Sequence, residues 1–353
     1  MRILYIVTRE LSYTRNDVIL RAFRRFAEVD VVGFNRRRSL ILRSIQCNIK
    51  AWSLINKNNY DLIFIGFYGH LLMLSMSRIS NIPILFDAFL STYDTLCFDR
   101  KIFSPTSISG QITYYLDQQA CRRAWSVLLD TNQHVSFFVN TFNLSTIPFH
   151  SIPVSCNEDI FYPRKVNPAQ DQLRVLYYLS FLPLHGAEVV VKAADYLRHL
   201  PITFRMIGTG PQYKKVNKLA SELGLKNIEF VSDVSINQLP EEIALSNVCL
   251  GGHFGTSAKA NRVIPGKIYQ ILAMGRPLIA ANSIANQELL THQENAWLCR
   301  PGDAVDLAES IKELYLNPSL LSKLGKASRQ LFEERCNEKV VTRLLIDILY
   351  HSR

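Results

Sequence analysis

What most narrows the fold of this chain is a repeated switch in hydrophobic period. Short apolar runs alternate with longer stretches whose apolar residues recur every three to four positions. Runs at 2–7, 29–34, 61–67, 83–87, 126–130 and 151–154 read as strands, and 16–27, 44–56, 71–78 and 108–124 as helices. A break follows at 157–172, where Pro163, Lys165 and Pro168 sit among polar residues without periodicity, as in a linker. The alternation then restarts. Strands are expected at 173–178, 202–207, 228–231, 248–250, 277–280 and 297–299. Helices are expected at 186–197, 213–223, 239–244, 267–274, 285–290, 306–316 and 320–335, and 340–350 closes the chain. Strands that alternate with helices build parallel sheets covered on both faces. At 353 residues, the pattern predicts two α/β domains of similar size with a cleft between them. Ligands of such sheets sit at the carboxyl ends of the strands, so the loops there hold the candidate site.

Charge adds a second constraint. The net charge is +10, and residues 1–57 alone carry twelve Lys and Arg against four Asp and Glu. The excess is a patch, which selects polyanionic partners: nucleic acid, anionic lipid or a phosphorylated substrate. No helix-turn-helix, RNA-binding or zinc signature accompanies it, so no nucleic acid is expected. Arg21, Arg24 and Arg25 alternate with Ile19, Leu20, Phe23 and Phe26, and Arg36-Arg-Arg38 is followed by Leu40, Ile41, Leu42 and Ile45. Basic residues beside apolar ones suit an anionic membrane surface; an amphipathic helix with its apolar face in the core is the plain alternative for part of 16–27. The seven cysteines form no C-x-x-C pair and fit a reduced compartment. No leader is read at Met1, and no apolar run approaches the roughly 18–20 residues of a membrane span. The expected location is cytoplasmic, peripheral on the inner face of the membrane.

The second half carries Pro183-Leu-His-Gly186, Ile207-Gly-Thr-Gly-Pro211 and Asn227-Ile-Glu-Phe-Val231. It continues with Gly251-Gly-His-Phe-Gly255, Val263-Ile-Pro-Gly-Lys267 leading to Gly275-Arg-Pro277, Asn286-Gln-Glu288 and Pro301-Gly-Asp303. This succession resembles the nucleotide-sugar domain of the family-4 retaining glycosyltransferases, glycosyl transferases group 1. The first half resembles a subgroup through Phe86-Asp-Ala-Phe-Leu-Ser-Thr-Tyr-Asp-Thr95 and Asp130-Thr-Asn-Gln-His134. The resemblance implies GT-B architecture: two Rossmann-like parallel-sheet domains facing a central cleft. It implies an acceptor-side domain at 1–165, a donor domain at 166–339, and a final helix near 340–353 that packs back on the first. It also implies transfer with retention from a nucleotide diphosphate sugar, a UDP-sugar, to a lipid-linked or polysaccharide acceptor.

Such a reaction must stabilise negative charge growing on the departing diphosphate. Cations and helix N-termini aimed at it lower the barrier most. His185 and Lys267, each at the start of a helix, are the candidate diphosphate grip, with Lys259 and Arg262 nearby. Ser180, Gly186, Gly208, Gly210, Val231, Gly255 and Thr256 are the other expected donor contacts. Family members place two Glu with seven residues between them near the second helix, the first on the donor sugar and the second on the ribose; here those places hold Arg262 and Gln270, so Gln270 keeps the ribose hydroxyl and the sugar contact falls to amides near 254–256. Glu288 is placed near the ribose and phosphates, or on a helix face. His253 is either functional or a plain loop residue. In the first domain Asp87, Asp94 and Tyr93 follow the fourth strand, the two Asp as catalytic candidates and Tyr93 on the acceptor side. Asp87 either orients the acceptor hydroxyl or bonds the donor sugar, or else caps the next helix or binds loop amides. Arg15 is expected to meet acceptor phosphate, while Asn16 contacts acceptor or caps the helix, as Asp17 does. No D-x-D pair is present, so protein cations are expected to replace a metal ion. Two other readings share the sequence: a sugar-nucleotide epimerase of the same fold, and a basic binding module.

Overall fold

The structure, a computed structural model, describes residues 1–34, 39–166 and 172–351. Arg36, Arg37 and Arg38, which anchor one arm of the basic patch, lie outside the described residues. The chain divides into two compact units, Met1–Ser155 with Glu338–Arg353, and Cys156–Asn337.

The first unit holds six strands: β1 (Arg2–Ile6), β2 (Glu28–Val32), β3 (Leu62–Ile65), β4 (Ile84–Asp87), β5 (Ser126–Leu129) and β6 (Phe149–Ser151). They pair in parallel in the order β2-β1-β3-β4-β5-β6. The central strands are buried on both faces, which explains why they read as unbroken apolar runs. Helices α1 (Thr14–Arg24), α2 (Leu40–Ile55), α3 (His70–Ile79), α4 (Ile108–Arg122) and α5 (Asn132–Phe142) form the crossovers. A π-helix, Asp94–Asp99, sits between β4 and α4.

The second unit holds β7 (Leu173–Tyr178), β8 (Ile202–Ile207), β9 (Ile228–Val231), β10 (Val248–Gly252), β11 (Leu278–Ala281) and β12 (Trp297–Cys299). These too are parallel, in the order β12-β11-β10-β7-β8-β9. Its helices are α6 (Ala187–Tyr196), α7 (Tyr213–Glu222), α8 (Leu239–Ala244), α9 (Gly266–Ala273), α10 (Ile284–Gln287), α11 (Ala304–Leu316) and α12 (Pro318–Arg335). The order reverses between β7 and β10, the switch point at which such sheets take their ligands.

The last helix, α13 (Glu338–His351), belongs to the first unit. Its Val341, Leu345, Ile348 and Leu349 are buried with Val18, Ile19 and Phe23 of α1. Glu338 fixes the register: Arg21 Nε donates to one carboxylate oxygen at 2.8 Å and Arg25 Nε to the other at 2.5 Å. Two of the α1 arginines expected at a membrane surface are thus tied to α13, and the apolar face between them is core. The other arm differs. On α2, Ile41, Leu42, Ile45, Ile49 and Trp52 are all exposed.

Candidate active site

Three loops meet backbone to backbone at the carboxyl edge of the second sheet, and glycines make the contact possible. After β7 the chain turns through Phe181 and a 3-10 turn, Pro183–His185, into Gly186 at φ 65°. A Cβ on Gly186 would lie 2.5 Å from Gly255 N, and one on Gly255 would lie 2.7 Å from Leu184 O. The loops after β7 and β10 therefore lie in direct contact, joined by Phe254 N donating to His185 O and Gly255 N to Leu184 O. Gly208 and Gly210, after β8, press equally hard on Leu179 O and Ser180 O. Gly208 N donates to Val231 O at 2.8 Å, tying in β9. Ser180 is exposed above this junction.

Lys267 enters from the first turn of α9. Its Nζ is buried and, among the described residues, has no hydrogen-bond partner. It stands 4.6 Å from the centre of the Tyr177 ring and 5.9 Å from that of Tyr178. The ring face offers a cation some attraction, but not what water supplies. Burial accordingly brings the ammonium down to a pKa of about 7. Beside it the His185 and His253 rings stack at 5.3 Å, tilted by 21°. Both imidazoles are driven toward the neutral form, first by burial and then by the nearby Lys267 charge. His253 Nδ1 is buried without a hydrogen-bond partner among the described residues. This cluster lacks an anion: a negative group entering it would satisfy the ammonium and favour protonation of the imidazoles.

A cavity of about 390 Å³ opens beside the cluster, lined by His253, Gly255, Thr256, Asn261, Ser283 and Pro301, among others. Lys259 and Arg262 lie in the half-buried loop leading to α9, where Arg262 N donates to Lys259 O. Gln270 differs from expectation. Its Oε1 accepts from Tyr178 Oη at 2.9 Å, so the acceptor atom meant for a ribose hydroxyl is engaged inside the protein. Glu288 caps α10 at its carboxyl end, and its carbonyl accepts from Arg335 Nη2. Among the described residues no group of three or more His, Cys, Asp or Glu could hold a metal ion.

The first unit corrects the expectations for Arg15, Asp87, Asn16, Tyr93 and Asp94. Arg15 does not await an acceptor phosphate. It is fully buried and forms an ion pair with Asp87 (Nη2 to Oδ1, 2.9 Å), and Nε lies 3.1 Å from Oδ2. Its Nη1 donates to Ile152 O at 2.6 Å and its Nη2 to Leu129 O. Asp87 is therefore no free acid: burial raises its carboxyl and the Arg15 guanidinium opposes that. The pair braces the ends of β4 and β5 and the segment after β6. Asn16 is buried within α1, donating Nδ2 to Glu10 O; Tyr13 holds the cap position that Asn16 or Asp17 was expected to take, and Asp17 lies in the first turn. Tyr93 packs edge-on against Phe98 and Tyr114 and donates its backbone N–H to buried Asp117. Asp94 is buried where the π-helix opens, its N–H bonded to Ser91 Oγ. Ser91 in turn donates to Asp117 at 2.6 Å, so this stretch of the FDAF-x-S-x-YDT segment locks the loop to α4.

Residues 159–331 match the family model described as Glycosyl transferases group 1. The second unit is a glycosyl transferases group 1 domain. One relative of the chain is the putative colanic acid biosynthesis glycosyl transferase WcaI of Escherichia coli K12, 30% identical over 49% of this chain and 42% of that protein. The chain thus matches less than half the length of that relative. Among solved structures, sucrose-phosphate synthase from Thermosynechococcus elongatus superposes with a TM-score of 0.77 at 16% identity, covering 100% of this chain and 99% of that one. Anabaena Alr3699/HepE in complex with UDP and glucose does so at 0.75 and 16%, covering 99% and 100%. At such identity the likeness is one of fold, and it gives the two parallel six-stranded α/β units the GT-B class expected from the sequence.

Sequence reasoning placed Lys267, His185 and the glycines of the group 1 domain where they meet. It missed Tyr177 and Tyr178, which sit at the end of an apolar strand and read as core, although two adjacent hydroxylated aromatics at a strand's carboxyl end are a usable signal.

Proposed function

We propose that the chain is a glycosyltransferase that moves a hexosyl unit from a UDP-sugar to a glycan or lipid-linked acceptor, with retention and without a metal ion. One observation carries the reading: the buried Lys267 Nζ, short of a partner, beside the His185–His253 stack where the glycine loops meet. As the sugar–oxygen bond breaks, its electron pair stays on the diphosphate. Lys267 and loop N–H groups fixed before the reaction meet that charge without reorganising. The N-termini of α6 and α9 add their positive ends. The choice of UDP is supported by the neighbour whose structure holds UDP and glucose, and the polysaccharide setting by the relative's name.

A panel of nucleotides and nucleotide sugars, read by thermal shift, tests the donor site. UDP and one UDP-sugar raise the melting temperature by several degrees, about 2.7 kcal/mol at a hundred times Kd, and the rise survives chelation of divalent ions. A panel that leaves melting unchanged removes the reading; loss of the shift on chelation removes its metal-free part.

An acceptor held at an anionic membrane is the reading that α2 supports. Its exposed stripe of Ile41, Leu42, Ile45, Ile49 and Trp52 shares one face, and residues 31–60 carry six Lys and Arg and no acid. A helix of that kind lies in a lipid interface. The full chain sediments with vesicles containing phosphatidylglycerol at low salt. Ile45→Glu with Trp52→Glu abolishes this, and Arg36→Glu with Arg37→Glu and Arg38→Glu weakens it by about a hundredfold, at about 1 kcal/mol per cation. A parent chain that stays in the supernatant overturns the membrane reading.

A further inference from the structure

The carboxyl edge of the first sheet carries an aromatic constellation to which the sequence motifs contribute only Phe89 and the basic patch only Arg9. There the strand order reverses between β1 and β3, so their following loops part and frame a crevice. Four rings from three loops collect at it: Tyr13 after β1, Phe67 and Tyr68 after β3, and Phe89 after β4. Ring centres lie 5.0 Å apart for Tyr13 and Phe67, 4.3 Å for Phe67 and Tyr68, and 4.9 Å for Phe67 and Phe89. The Arg9 guanidinium carbon is 5.6 Å from the Tyr13 ring centre, 5.7 Å from that of Phe67 and 5.2 Å from that of Tyr68. Only Phe67 is buried; Tyr13, Tyr68, Phe89 and Arg9 remain partly open.

Backbone conformation separates this cluster from ordinary packing. Tyr68 has φ 66° and Phe89 φ 54°, the left-handed region that bulky residues avoid. The β3 loop has glycine on either side, at Gly66 and Gly69, and still keeps an aromatic at its left-handed position. A loop that only had to turn gains by placing glycine there. Thr8 Oγ1 donates to Tyr68 O at 3.1 Å and holds the strained residue in place. Strain maintained by surrounding bonds, on half-open side chains at a sheet's ligand edge, marks a binding surface.

We propose that Tyr13, Phe67, Tyr68 and Phe89, with Arg9, form a platform for the acceptor, taking a pyranose ring joined to a phosphate. The ring faces are electron-rich and suit the C–H face of a sugar, and the guanidinium suits a phosphate oxygen. Glu10, 3.2 Å from Arg9 Nε, steadies the guanidinium beside the rings. The proposal rests on the glycosyltransferase reading.

Saturation-transfer NMR on the full chain, with irradiation of aromatic protons, tests it. The probes are glucose 1-phosphate, its farnesyl ester and methyl α-glucopyranoside, with inorganic phosphate as competitor and UDP as control. Glucose 1-phosphate or its ester receives saturation at the sugar ring protons; signal from the ester alone assigns the platform to lipid-linked acceptors. Tyr13→Leu and Tyr68→Gly each weaken that binding about tenfold, and Arg9→Gln removes the preference for phosphate over methyl glycoside. Tyr68→Gly keeps or raises the melting temperature, because it relieves the left-handed backbone, and leaves the UDP shift intact. Sugar signals absent from the parent, or unchanged in Tyr68→Gly, overturn the platform. A parent without a UDP shift overturns the donor reading instead.

Discussion

Replacing Lys267 with alanine lowers kcat/KM for sugar transfer by about a hundred- to a thousandfold, the loss expected when one preorganised group is removed from developing charge. The fold tolerates the change, because the ammonium is buried at a cost and, among the described residues, makes no hydrogen bond that the structure needs. The pH dependence gives this prediction a sharper edge. In the empty site the ammonium loses its proton at about pH 7, because burial disfavours the charged form. A bound diphosphate favours the charged form, so binding takes up a proton above that pH. The Kd for the UDP-sugar therefore rises by up to tenfold per pH unit above 7, until the ammonium of the complex itself titrates. Stability of the empty protein runs the opposite way. The unfolded chain keeps this proton up to about 10.5 while the folded chain releases it near 7, so the Lys267 contribution to stability improves between those values. Lys267→Arg stays charged throughout and flattens the affinity profile. Calorimetry in buffers of different ionisation enthalpy measures the proton uptake, and its absence refutes the assignment of Lys267 to the diphosphate.

Arg15→Met destabilises the first unit by about 3–5 kcal/mol, because it leaves Asp87 charged and buried without its partner. Asp87→Leu in the same chain recovers most of that loss, since an apolar pair of similar volume needs no charge compensation. Chemical denaturation of the single and double variants measures the difference. Equal losses in Arg15→Met and in the double variant disprove the bracing role. A catalytic Asp87 gives a different result: the double variant regains stability but transfers no sugar.

The parts of this molecule that were legible in the sequence are those fixed by local pattern. β7, β8, β9 and β12 fall where expected: β7 and β8 are mostly buried, and the edge strands β9 and β12 still keep apolar residues between turn residues. β6 lies at Phe149–Ser151 and not at 151–154; His150 and Ser151 leave it without an apolar run. The helix α5 was missed although Thr131 caps it, Val135, Phe138, Val139 and Phe142 recur at helical spacing, and Asn143 ends it in the left-handed conformation. In the loops of the second unit, glycines announce themselves through geometry that other residues cannot adopt. The Arg15–Asp87 pair spans 72 residues of sequence, and no local pattern says which charges will meet. A buried partner and a waiting ligand explain an arginine at a strand's end equally well until its surroundings are known.

The return of α13 to the first unit makes the order of synthesis matter. The group 1 domain is one continuous stretch, Cys156–Asn337, and is fully translated before any residue of α13 has been made. The first unit has Ile19 and Phe23 from the outset, but their cover, Leu345, Ile348 and Leu349, is made only after the whole second unit. The domain translated second can thus close first, while the one translated first keeps an apolar flank open until α13 has been made. A stop codon near residue 337 spares every residue proposed to hold the donor yet leaves the first unit unsealed, so truncation there harms solubility before it harms nucleotide binding.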